Sequence, residues 1–257
     1  MNNQFDAPAS ELLAKNLLVD RSSSELLCQR KQAQQTRIEV VTRLAAQALQ
    51  AVPNAAAAQM LSIGCFDGKI EQGFLQQGWK VTGLDDSESA LDRARRRGLK
   101  TTLADFSQPL PYPSDSFDFI FAGEVIEHLL SPMELLGEIR RVLKPGGTVV
   151  LTTPNLARLQ DRLRFIWGCS PKHVAPLHPV LYLHIRPFTW GTLRQALQQG
   201  HFSDIRLHTN HVSLSLGACQ MNLPLLPLLA PSLGRSLIAW ARVQKSPARH
   251  LHRIYNP

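Results

Sequence analysis

The sequence has few cysteines, few acidic residues in its second half and no long hydrophobic run. The four cysteines are widely separated and form no Cys-x-x-Cys pair. This spacing argues against a disulfide scaffold or a metal ribbon and fits reduced thiols. No run of about 20 apolar residues marks a membrane-spanning helix, and the polar, acidic start lacks the apolar core of a signal peptide. We therefore expect a protein that is made and kept in the cytoplasm.

The length of the chain favours one main domain with additions. Of 257 residues, 44% are hydrophobic and 19% are charged, which argues against wholesale disorder. Apolar residues recur at helical spacing within residues 1–58, so this part is predicted to be a helical N-terminal extension. We expect residues 59–257 to form the main domain, with insertions at about 154–192 and 213–234.

Acidic residues are nearly absent after Glu138. The chain up to Glu138 has 13 basic and 18 acidic residues (net −5), and the remainder has 15 basic and 2 acidic residues (net +13), which together give the net charge of +8. This asymmetry predicts an anionic partner for the second half, such as phosphate, nucleic acid or a membrane surface. A solvated basic face is the alternative.

From Met60 onward, short apolar runs alternate with helical stretches. The runs are MLSI, KVTGLD, LKTTLA, FDFIFA and GTVVLTT. Further along, the pattern predicts a helix over Leu193–Gln199, a strand over Ile205–Val212 and a last strand in SLIAWARV. The alternation is typical of a doubly wound α/β fold, in which a mostly parallel sheet has helices on both faces.

Glycines and acids stand where the predicted strands end. The segment LSIGCFDG (61–68) places Gly64 and Gly68 at a strand-to-helix turn, where a ligand can approach the backbone closely. Asp85 ends the second strand, at the position where an acid accepts hydrogen bonds from ribose hydroxyls. Asp105 ends the third strand at the same edge. Asp86, next to Asp85, has the alternative role of capping the next helix instead of contacting the ligand.

Five segments in this order resemble the class I S-adenosylmethionine-dependent methyltransferases, especially the group that includes the ubiquinone O-methyltransferases. They are IGCFDG, VTGLDDS, LADF, FDFIFAGEVIEHL and LKPGGTVVLTTPN. The resemblance covers residues 60–153 well and continues loosely to about 243. It implies a Rossmann-like sheet of seven mostly parallel strands, with the last strand antiparallel, and S-adenosylmethionine as cofactor.

The resemblance also implies which residues bind this cofactor. By position, they are Gly64, Cys65 and Gly68 for the methionine part, Asp85 with Asp86 beside it for the ribose, Asp105 and Phe106 for the adenine, and Gly123 and Glu124 for the methionine end. The chain departs from the family pattern twice. Ser62 stands where the family usually has an acid, and Phe66 stands where it usually has the second glycine of the loop.

The segment EVIEHL carries the candidate catalytic residue. Glu124, Glu127 and His128 occupy positions i, i+3 and i+4, which are neighbours on one helical turn. His128 is the candidate general base. The alternative is that Glu127 and His128 begin a helix and face solvent.

A metal site is a second hypothesis for the same segment. Its pattern resembles that of small-RNA 3′-terminal 2′-O-methyltransferases, in which a divalent ion positions the substrate hydroxyls. His184, in HIRPFTW, would then complete the set of ligands. Carboxylate oxygen and imidazole suit Mg²⁺, Mn²⁺ or Zn²⁺. His173, His178 and Arg186 are instead expected in the acceptor pocket or its loops.

The acceptor is expected to meet the insertions. TTPNLARLQDRLRFIWG predicts a loop and a helix with a basic face of Arg158 and Arg162 and an apolar face of Leu159, Leu163 and Ile166. This segment is expected to line an anionic acceptor or to cover the sheet. Residues 207–234 contain no Asp, Glu, Lys or Arg and precede a basic tail. This stretch is predicted to be a pocket lid or, alternatively, a segment that dips into an anionic bilayer surface.

Together these features predict a methyltransferase that acts on an oxygen of a small-molecule, lipid-linked or saccharide-linked acceptor. Two alternatives remain at this stage. A nucleic-acid-binding or RNA-methylating protein would explain the basic second half. A non-catalytic protein that binds S-adenosylmethionine would explain the glycine loop.

Overall fold

The computed structural model describes residues 38–47, 58–171, 174, 184–216, 219–223 and 226–244. In chain order its elements are α1 (38–47), β1 (Gln59–Ile63), α2 (Glu71–Gln76), β2 (Lys80–Asp85), α3 (Glu88–Arg96), β3 (Lys100–Leu103), β4 (Phe117–Gly123), a 3₁₀ turn (Ile126–His128), α4 (Pro132–Val142), β5 (Leu143–Pro154), α5 (Leu159–Ile166), α6 (Trp190–Gln199), β6 (Phe202–Thr209), β7 (Ser213–Leu216), β8 (Cys219–Asn222), α7 (Leu226–Leu229), a second 3₁₀ turn (Pro231–Leu233) and β9 (Ser236–Val243).

Seven of the strands form one sheet, in the order β3-β2-β1-β4-β5-β9-β6. The first five strands along the chain pair in parallel, and β9 lies antiparallel between β5 and β6. This confirms the predicted mostly parallel, seven-stranded α/β fold with its last strand antiparallel. The strand order reverses between β1 and β4, and ligands of such sheets bind beyond the carboxyl ends of the strands at this point.

Alternate residues of the central strands point into two separate apolar layers. Leu61 and Ile63 of β1 join the layer that also includes Leu136 of α4, whereas Met60 joins the layer on the other face. The second layer includes Val41 and residues 44–45 of α1 together with side chains of α2 and α3. Burial on both faces explains why the central strands are almost continuously apolar. The predicted helical spacing in this part of the N-terminal extension is thus present in α1.

The bounds of two predicted elements differ from the structure. Helix α6 begins at Trp190 rather than Leu193, because Thr189 and Thr192 form a reciprocal capping box just before it. Strand β6 begins at Phe202 and ends at Thr209, and its pairing with β9 shifts register between Ser203 and Arg206. This bulge interrupts the alternation of apolar and polar side chains on which the prediction depended.

The insertion between β6 and β9 contains local structure. Strands β7 and β8 form an antiparallel hairpin, and the two short helical turns that follow lead into β9. Leu225, from the stretch predicted to be a lid or a membrane segment, lies outside the described residues, as do 1–37 and 48–57 of the N-terminal extension. Within the described parts of the chain, no helix has both the length and the apolar character needed to cross a bilayer.

Candidate functional site

A cavity of about 780 Å³ opens at the carboxyl edge of the sheet, beyond the neighbouring strands β1 and β4 where the strand order reverses. This volume lies within the range of small-molecule sites, about 300–1,000 Å³. The cavity is lined by residues that follow four different strands: Gly64, Phe66, Asp85, Asp86, Ser87, Asp105, Phe106, Ser107, Gly123, Glu124, Val125, His128, Leu129, Leu130, Ser131 and Glu134. Most of the residues predicted to bind the cofactor therefore line one cavity.

Gly64 forms the floor of the turn after β1. Its φ is +71°, and a Cβ at this position would overlap Cγ2 of Val125. The amide N–H groups of Gly64 and Cys65 both donate to the carbonyl oxygen of Leu84, at 2.8 and 3.1 Å. Glycine is needed here because a side chain would be strained by the backbone conformation and blocked by Val125.

Asp85 joins the glycine loop to the start of α3. Its Oδ2 accepts a hydrogen bond from the amide of Phe66 at 2.7 Å, and its Oδ1 accepts one from the amide of Ser87 at 3.1 Å. Ser87 in turn caps α3 by accepting from Ala90 N. A carboxylate has about four acceptor sites, so both oxygens can still accept hydrogen bonds from a ligand. Asp85 thus shapes the loop and presents acceptors to the cavity.

Phe66, at the position of the missing second glycine, also adopts a left-handed conformation, with φ +48°. The guanidinium of Arg93 lies 5.2 Å from the centre of its ring, which is a cation–π contact. An aromatic residue is strained at this φ, and such strain persists where neighbouring contacts hold it. The contacts with Asp85 and Arg93 supply that support.

The remaining predicted residues at the exits of β2 and β3 also line the cavity. Asp86 is exposed and lines the cavity. Its alternative role, the cap of the next helix, is filled by Ser87. Asp105 accepts a hydrogen bond from Ser107 N at 2.8 Å, and this bond lowers the pKa of its carboxyl group. Phe106 is half-buried against the core. These residues form the wall opposite the exit of β4.

Two residues predicted to approach the cofactor do not line the cavity. The side chain of Cys65 is buried beneath the loop, and its Sγ leaves no room for a Cβ at Gly83. Burial is also the main cause that raises the pKa of this thiol. A Cβ on Gly68 would lie 3.0 Å from Cβ of Ala94, so this glycine lets the loop pack closely against α3. Neither residue is therefore among those that line the cavity, and the predicted contact of both with the cofactor stays a prediction.

A buried carboxylate supplied by α2 contacts Ser62. The hydroxyl of Ser62 donates to Oε1 of Glu71 at 2.6 Å, and both side chains are buried. Burial raises the pKa of Glu71 to about 7, although the hydrogen bond from Ser62 opposes this shift. The chain therefore has a carboxyl group next to the position where the family usually has an acid. Glu71 was not among the predicted residues, although an acid in the first turn of the helix after the loop was a visible signal.

The exit of β4 has an unusual backbone. Glu124 has a φ of +58°, and its amide donates to the carbonyl oxygen of Thr152 on β5 at 2.9 Å. A left-handed glutamate costs on the order of 1–3 kcal/mol and is commonest at functional sites. The 3₁₀ turn begins only two residues later, at Ile126. Glu124 therefore lies before the turn and not on it, so the predicted i, i+3 arrangement of Glu124 with Glu127 is wrong.

Glu127 and His128 have different surroundings on this turn. Glu127 is buried, and its Oε2 accepts a hydrogen bond from Thr153 Oγ1 at 3.0 Å. The alternative in which Glu127 faces solvent is thus wrong. His128 lines the cavity with a partly exposed ring, and its Nε2 lies 3.9 Å from Oε1 of Glu127. The pair places an imidazole next to a buried carboxylate at the cavity wall.

His184 completes a cluster with these two residues. The rings of His128 and His184 have centres 4.8 Å apart. One ligand atom from each of Glu127, His128 and His184 lies within 4.8 Å of the others. Glu124 is not part of this group, because its left-handed backbone separates it from the turn. The neighbouring Arg186 donates from its amide to Glu127 O and from Nε to Leu130 O, which joins the two segments.

Of the two arginines predicted to form a basic face of α5, only Arg162 is exposed. Arg158 is buried at the start of the helix and pairs with the buried Asp161, with 2.6 Å between Nε and Oδ2. Arg162 remains exposed and donates to Ala157 O. His173 and His178 lie outside the described residues. Several side chains of the cavity wall were not predicted to line it, namely Ser87, Ser107, Leu130, Ser131 and Glu134.

Comparisons with known proteins agree with this arrangement. Residues 61–151 match the family described as a methyltransferase domain. The chain is 34% identical over 106 residues to a ubiquinone biosynthesis O-methyltransferase of Bradyrhizobium, which covers 38% of this chain and 40% of that protein. It is 32% identical over 122 residues to the 27-O-demethylrifamycin SV methyltransferase of Amycolatopsis mediterranei, which covers 44% of each. The chain thus spans less than half the length of these two relatives.

The fold is shared more widely than the sequence. A SAM-dependent methyltransferase of Thermotoga maritima superimposes with a TM-score of 0.60 over 88% of this chain and 97% of that one, at 17% identity. The matched domain contains β1 to β5 apart from the ends of β1 and β5, and thus the strands whose exits form the cavity. Residues 61–151 thus match a methyltransferase domain in sequence, and the chain shares the fold of the Thermotoga protein.

Proposed function

We propose that the chain transfers a methyl group from S-adenosylmethionine to an oxygen atom of a small-molecule, lipid-linked or saccharide-linked acceptor. One observation carries this proposal: the cavity has acidic and glycine residues after β1 to β3 on one side and an imidazole after β4 on the other. The first group suits a nucleoside cofactor, and the second suits a proton acceptor. The choice of oxygen is supported by the two relatives, whose names are those of O-methyltransferases or of an O-demethylated substrate.

The cavity fits the cofactor in both size and donor set. Asp85 has acceptor sites for the ribose hydroxyls, and Asp105 has a carboxylate for the adenine amino group. Phe106 would contact the face of the adenine ring. The open backbone at Gly64, with Gly123 and Glu124 opposite, would hold the methionine part. When bound, the cofactor supplies a methyl group on a positively charged sulfur.

In this proposal His128 accepts the proton of the acceptor. The acceptor oxygen forms a bond to the methyl carbon as the bond from this carbon to sulfur breaks, and the hydroxyl proton passes to the imidazole. Glu127 would stabilise the resulting imidazolium, because its buried carboxylate lies 3.9 Å from Nε2. Positioning supplies most of the remaining rate, since the methyl donor is already activated.

Binding of the cofactor is tested with Asp85→Asn. We expect calorimetry to show that the wild type binds S-adenosylmethionine and that this variant binds it at least tenfold more weakly, a loss of about 1.5–3 kcal/mol. Asp92→Asn is the matched control, since Asp92 lies on the exposed surface of α3 and does not line the cavity. Absence of binding by the wild type would overturn the assignment of the cavity.

Transfer itself is tested by incubation of metabolite and lipid extracts with a methyl-labelled donor, followed by mass spectrometry of the labelled products. A product methylated on oxygen that disappears with His128→Ala supports the proposal. Cofactor binding without any product in either extract would instead support the non-catalytic alternative. Label found only in RNA would support the RNA-methylating one.

A divalent metal is a second role that we propose for the same turn, because Glu127, His128 and His184 bring three ligand atoms together. Two imidazoles and one carboxylate suit Zn²⁺ or Mn²⁺ better than Mg²⁺, which prefers oxygen ligands. An ion there would bind the acceptor hydroxyl and lower its pKa. His128 would then be a ligand and not the base.

Titration with Zn²⁺ and Mn²⁺ distinguishes the two roles of His128. If the metal role is correct, calorimetry will show binding that His184→Gln weakens at least tenfold, and activity will disappear with a chelator and return with the metal. S-adenosylmethionine binding should be unchanged in His184→Gln, which controls for the fold. Full activity in excess chelator would leave His128 as a general base only.

A further inference from the structure

The large exposed apolar side chains of the described residues lie at one edge of the sheet. Among the described residues, ten large apolar side chains are exposed: Phe66, Leu103, Leu130, Met133, Leu163, Phe165, Ile166, Trp167, Ile185 and Leu229. All of them follow the carboxyl ends of parallel strands or belong to segments that pack there. This is the edge at which the cavity opens. Such a concentration marks an interaction surface, because single exposed apolar residues are normally scattered.

The end of α5 is the most exposed part of this edge. Residues 162–170 are all exposed, and the consecutive side chains of Phe165, Ile166 and Trp167 have exposed fractions of 71, 75 and 82%. Together with Leu163 and Leu229 these three residues are named the α5 surface here. Arg162 hydrogen-bonds to Ser232, which places α5 beside the 3₁₀ turn that follows Leu229.

The charge around the α5 surface has one sign. Arg162 and Arg164 lie on the same exposed segment, and residues 162–170 contain no Asp or Glu. Asp161, the acid that directly precedes this segment in the chain, is buried in its ion pair with Arg158 and is not available to a partner. Large apolar side chains flanked by arginines are the composition of helices that lie in the headgroup region of an anionic bilayer.

We infer that the α5 surface docks the protein on an anionic membrane. The inference extends the proposed function and rests on it, because docking at this edge would place the mouth of the cavity against the bilayer and select a lipid-linked acceptor. A second copy of the chain is a poorer occupant, since two such surfaces would bring two pairs of arginines together. The predicted membrane contact thereby acquires a second element, α5, in addition to the stretch 207–234.

The first test measures sedimentation with phosphatidylcholine vesicles that contain or lack phosphatidylserine. We expect the wild type to sediment only with the anionic vesicles, and Ile166→Ser/Trp167→Ser to reduce the partition coefficient by about tenfold or more. Both side chains are exposed, so the unfolding midpoint of this variant should remain that of the wild type. Unchanged sedimentation of the variant, or no sedimentation of the wild type at low salt, would overturn the inference.

The second test asks whether vesicle binding depends on where positive charges are removed or only on how many are removed. Arg162→Gln/Arg164→Gln and Arg96→Gln/Lys100→Gln each remove two positive charges, but the second pair lies at the end of α3 and the start of β3, away from the cavity. We expect only the first pair to weaken binding to anionic vesicles by at least fivefold, because the effect of charge decreases within a Debye length. Equal losses in both would indicate non-specific attraction and contradict the inference.

Two further measurements keep the outcomes distinct. Calorimetry with S-adenosylmethionine on the same variants should give the affinity of the wild type, since none of the six substituted residues lines the cavity. Cofactor binding without vesicle binding would overturn the docking surface alone. Vesicle binding without cofactor binding would overturn the proposed function alone. Conversion of a wild-type dimer to a monomer by Ile166→Ser/Trp167→Ser, without vesicle binding, would identify a second copy as the occupant.

Discussion

The two sides of the cavity differ in whether backbone conformation or side-chain contacts hold the wall in place. After β1 and β2 the cavity wall depends on backbone conformation: Gly64 is left-handed and Asp85 holds the amides of the loop. After β4 and β5 it depends on side chains that meet from distant segments, such as Glu127, Thr153 and His184. The first kind of construction is encoded by a short motif, and the second requires the whole fold. Substitutions that damage one side and spare the other would test this difference.

The largest expected effect is on the β5 side, from Asp161→Asn. This substitution leaves the guanidinium of Arg158 buried without its countercharge, and loss of one partner of a buried pair costs about 3–5 kcal/mol. We expect this loss of unfolding free energy in denaturant titrations. Binding of S-adenosylmethionine by the folded protein should be retained, since Arg158 and Asp161 do not line the cavity.

Asp92→Asn is the matched control for this prediction. Arg95 and Asp92 form an ion pair with the same spacing of three residues, at 2.8 Å, but on the exposed surface of α3. An exposed pair contributes about 0–1 kcal/mol, so the control should change stability by no more than that. Equal losses in the two variants would show that burial of the Arg158–Asp161 pair is unimportant.

On the β1 side, Gly64→Ala is expected to lower stability by about 2–4 kcal/mol and to abolish measurable binding of S-adenosylmethionine. The added Cβ is strained at this φ and overlaps Val125, whose branched side chain has little freedom to move. Gly78→Ala is the control, because Gly78 has a φ of +84° with nothing near its Cβ position. It should lose only about 1 kcal/mol. Partial recovery in Gly64→Ala/Val125→Ala would identify the overlap as the cause.

Glu71→Gln is predicted to change the dependence of stability on pH. Since burial raises the folded-state pKa of Glu71 to about 7, above that of an unfolded glutamate, the protonated form is favoured by folding. Its contribution to stability is complete below about pH 4 and is lost as the pH rises through about 7. Glutamine does not ionise, so the variant should gain stability relative to the wild type by about 3 kcal/mol between pH 4 and pH 8.

Denaturant unfolding of both proteins across this pH range measures the effect. Asp67 and Asp85 also raise the pKa of Glu71, while Ser62 lowers it through its hydrogen bond, so Ser62→Ala should move the transition to higher pH. Glu134→Gln, at an exposed position, controls for the substitution itself. A difference between wild type and Glu71→Gln that is the same at every pH would contradict the prediction.

The smallest expected effect comes from Arg93→Gln, which removes the cation–π contact with Phe66. Contacts of this kind contribute about 0.5–1 kcal/mol at exposed sites. The unfolding free energy should fall by that amount, and the affinity for S-adenosylmethionine should fall slightly because Phe66 lines the cavity. Arg96→Gln, three positions further along at the exposed end of α3, should change neither quantity.

The sequence predicts the motif-built side of the cavity, after β1 and β2, better than the side after β4 and β5 that depends on contacts between distant segments. The five apolar runs correctly predicted β1 to β5, and the positions of Gly64, Asp85 and Asp105 at strand ends correctly predicted residues that line the cavity. The helical arrangement of Glu124 was wrong, because spacing along the chain does not reveal a left-handed backbone. Glu71 was missed because its partner, Ser62, appears in the sequence only as the absence of an acid. The apolar exposure of α5 was also missed, since helical spacing predicts a buried face without saying what covers it.

The position of β9 has a consequence for how the protein is made. This strand leaves the ribosome after every other strand of the sheet, yet it lies between β5 and β6 and pairs with both. Until it emerges, one edge of β5 with the buried side chains of Val149 and Leu151 has no neighbour, and β6 has no place in the sheet. An unpaired apolar edge of this kind promotes association between chains. Release of the chain before Ser236 would therefore leave a five-stranded sheet with β5 at its edge, and the pairing of β6 must wait until translation has passed β9.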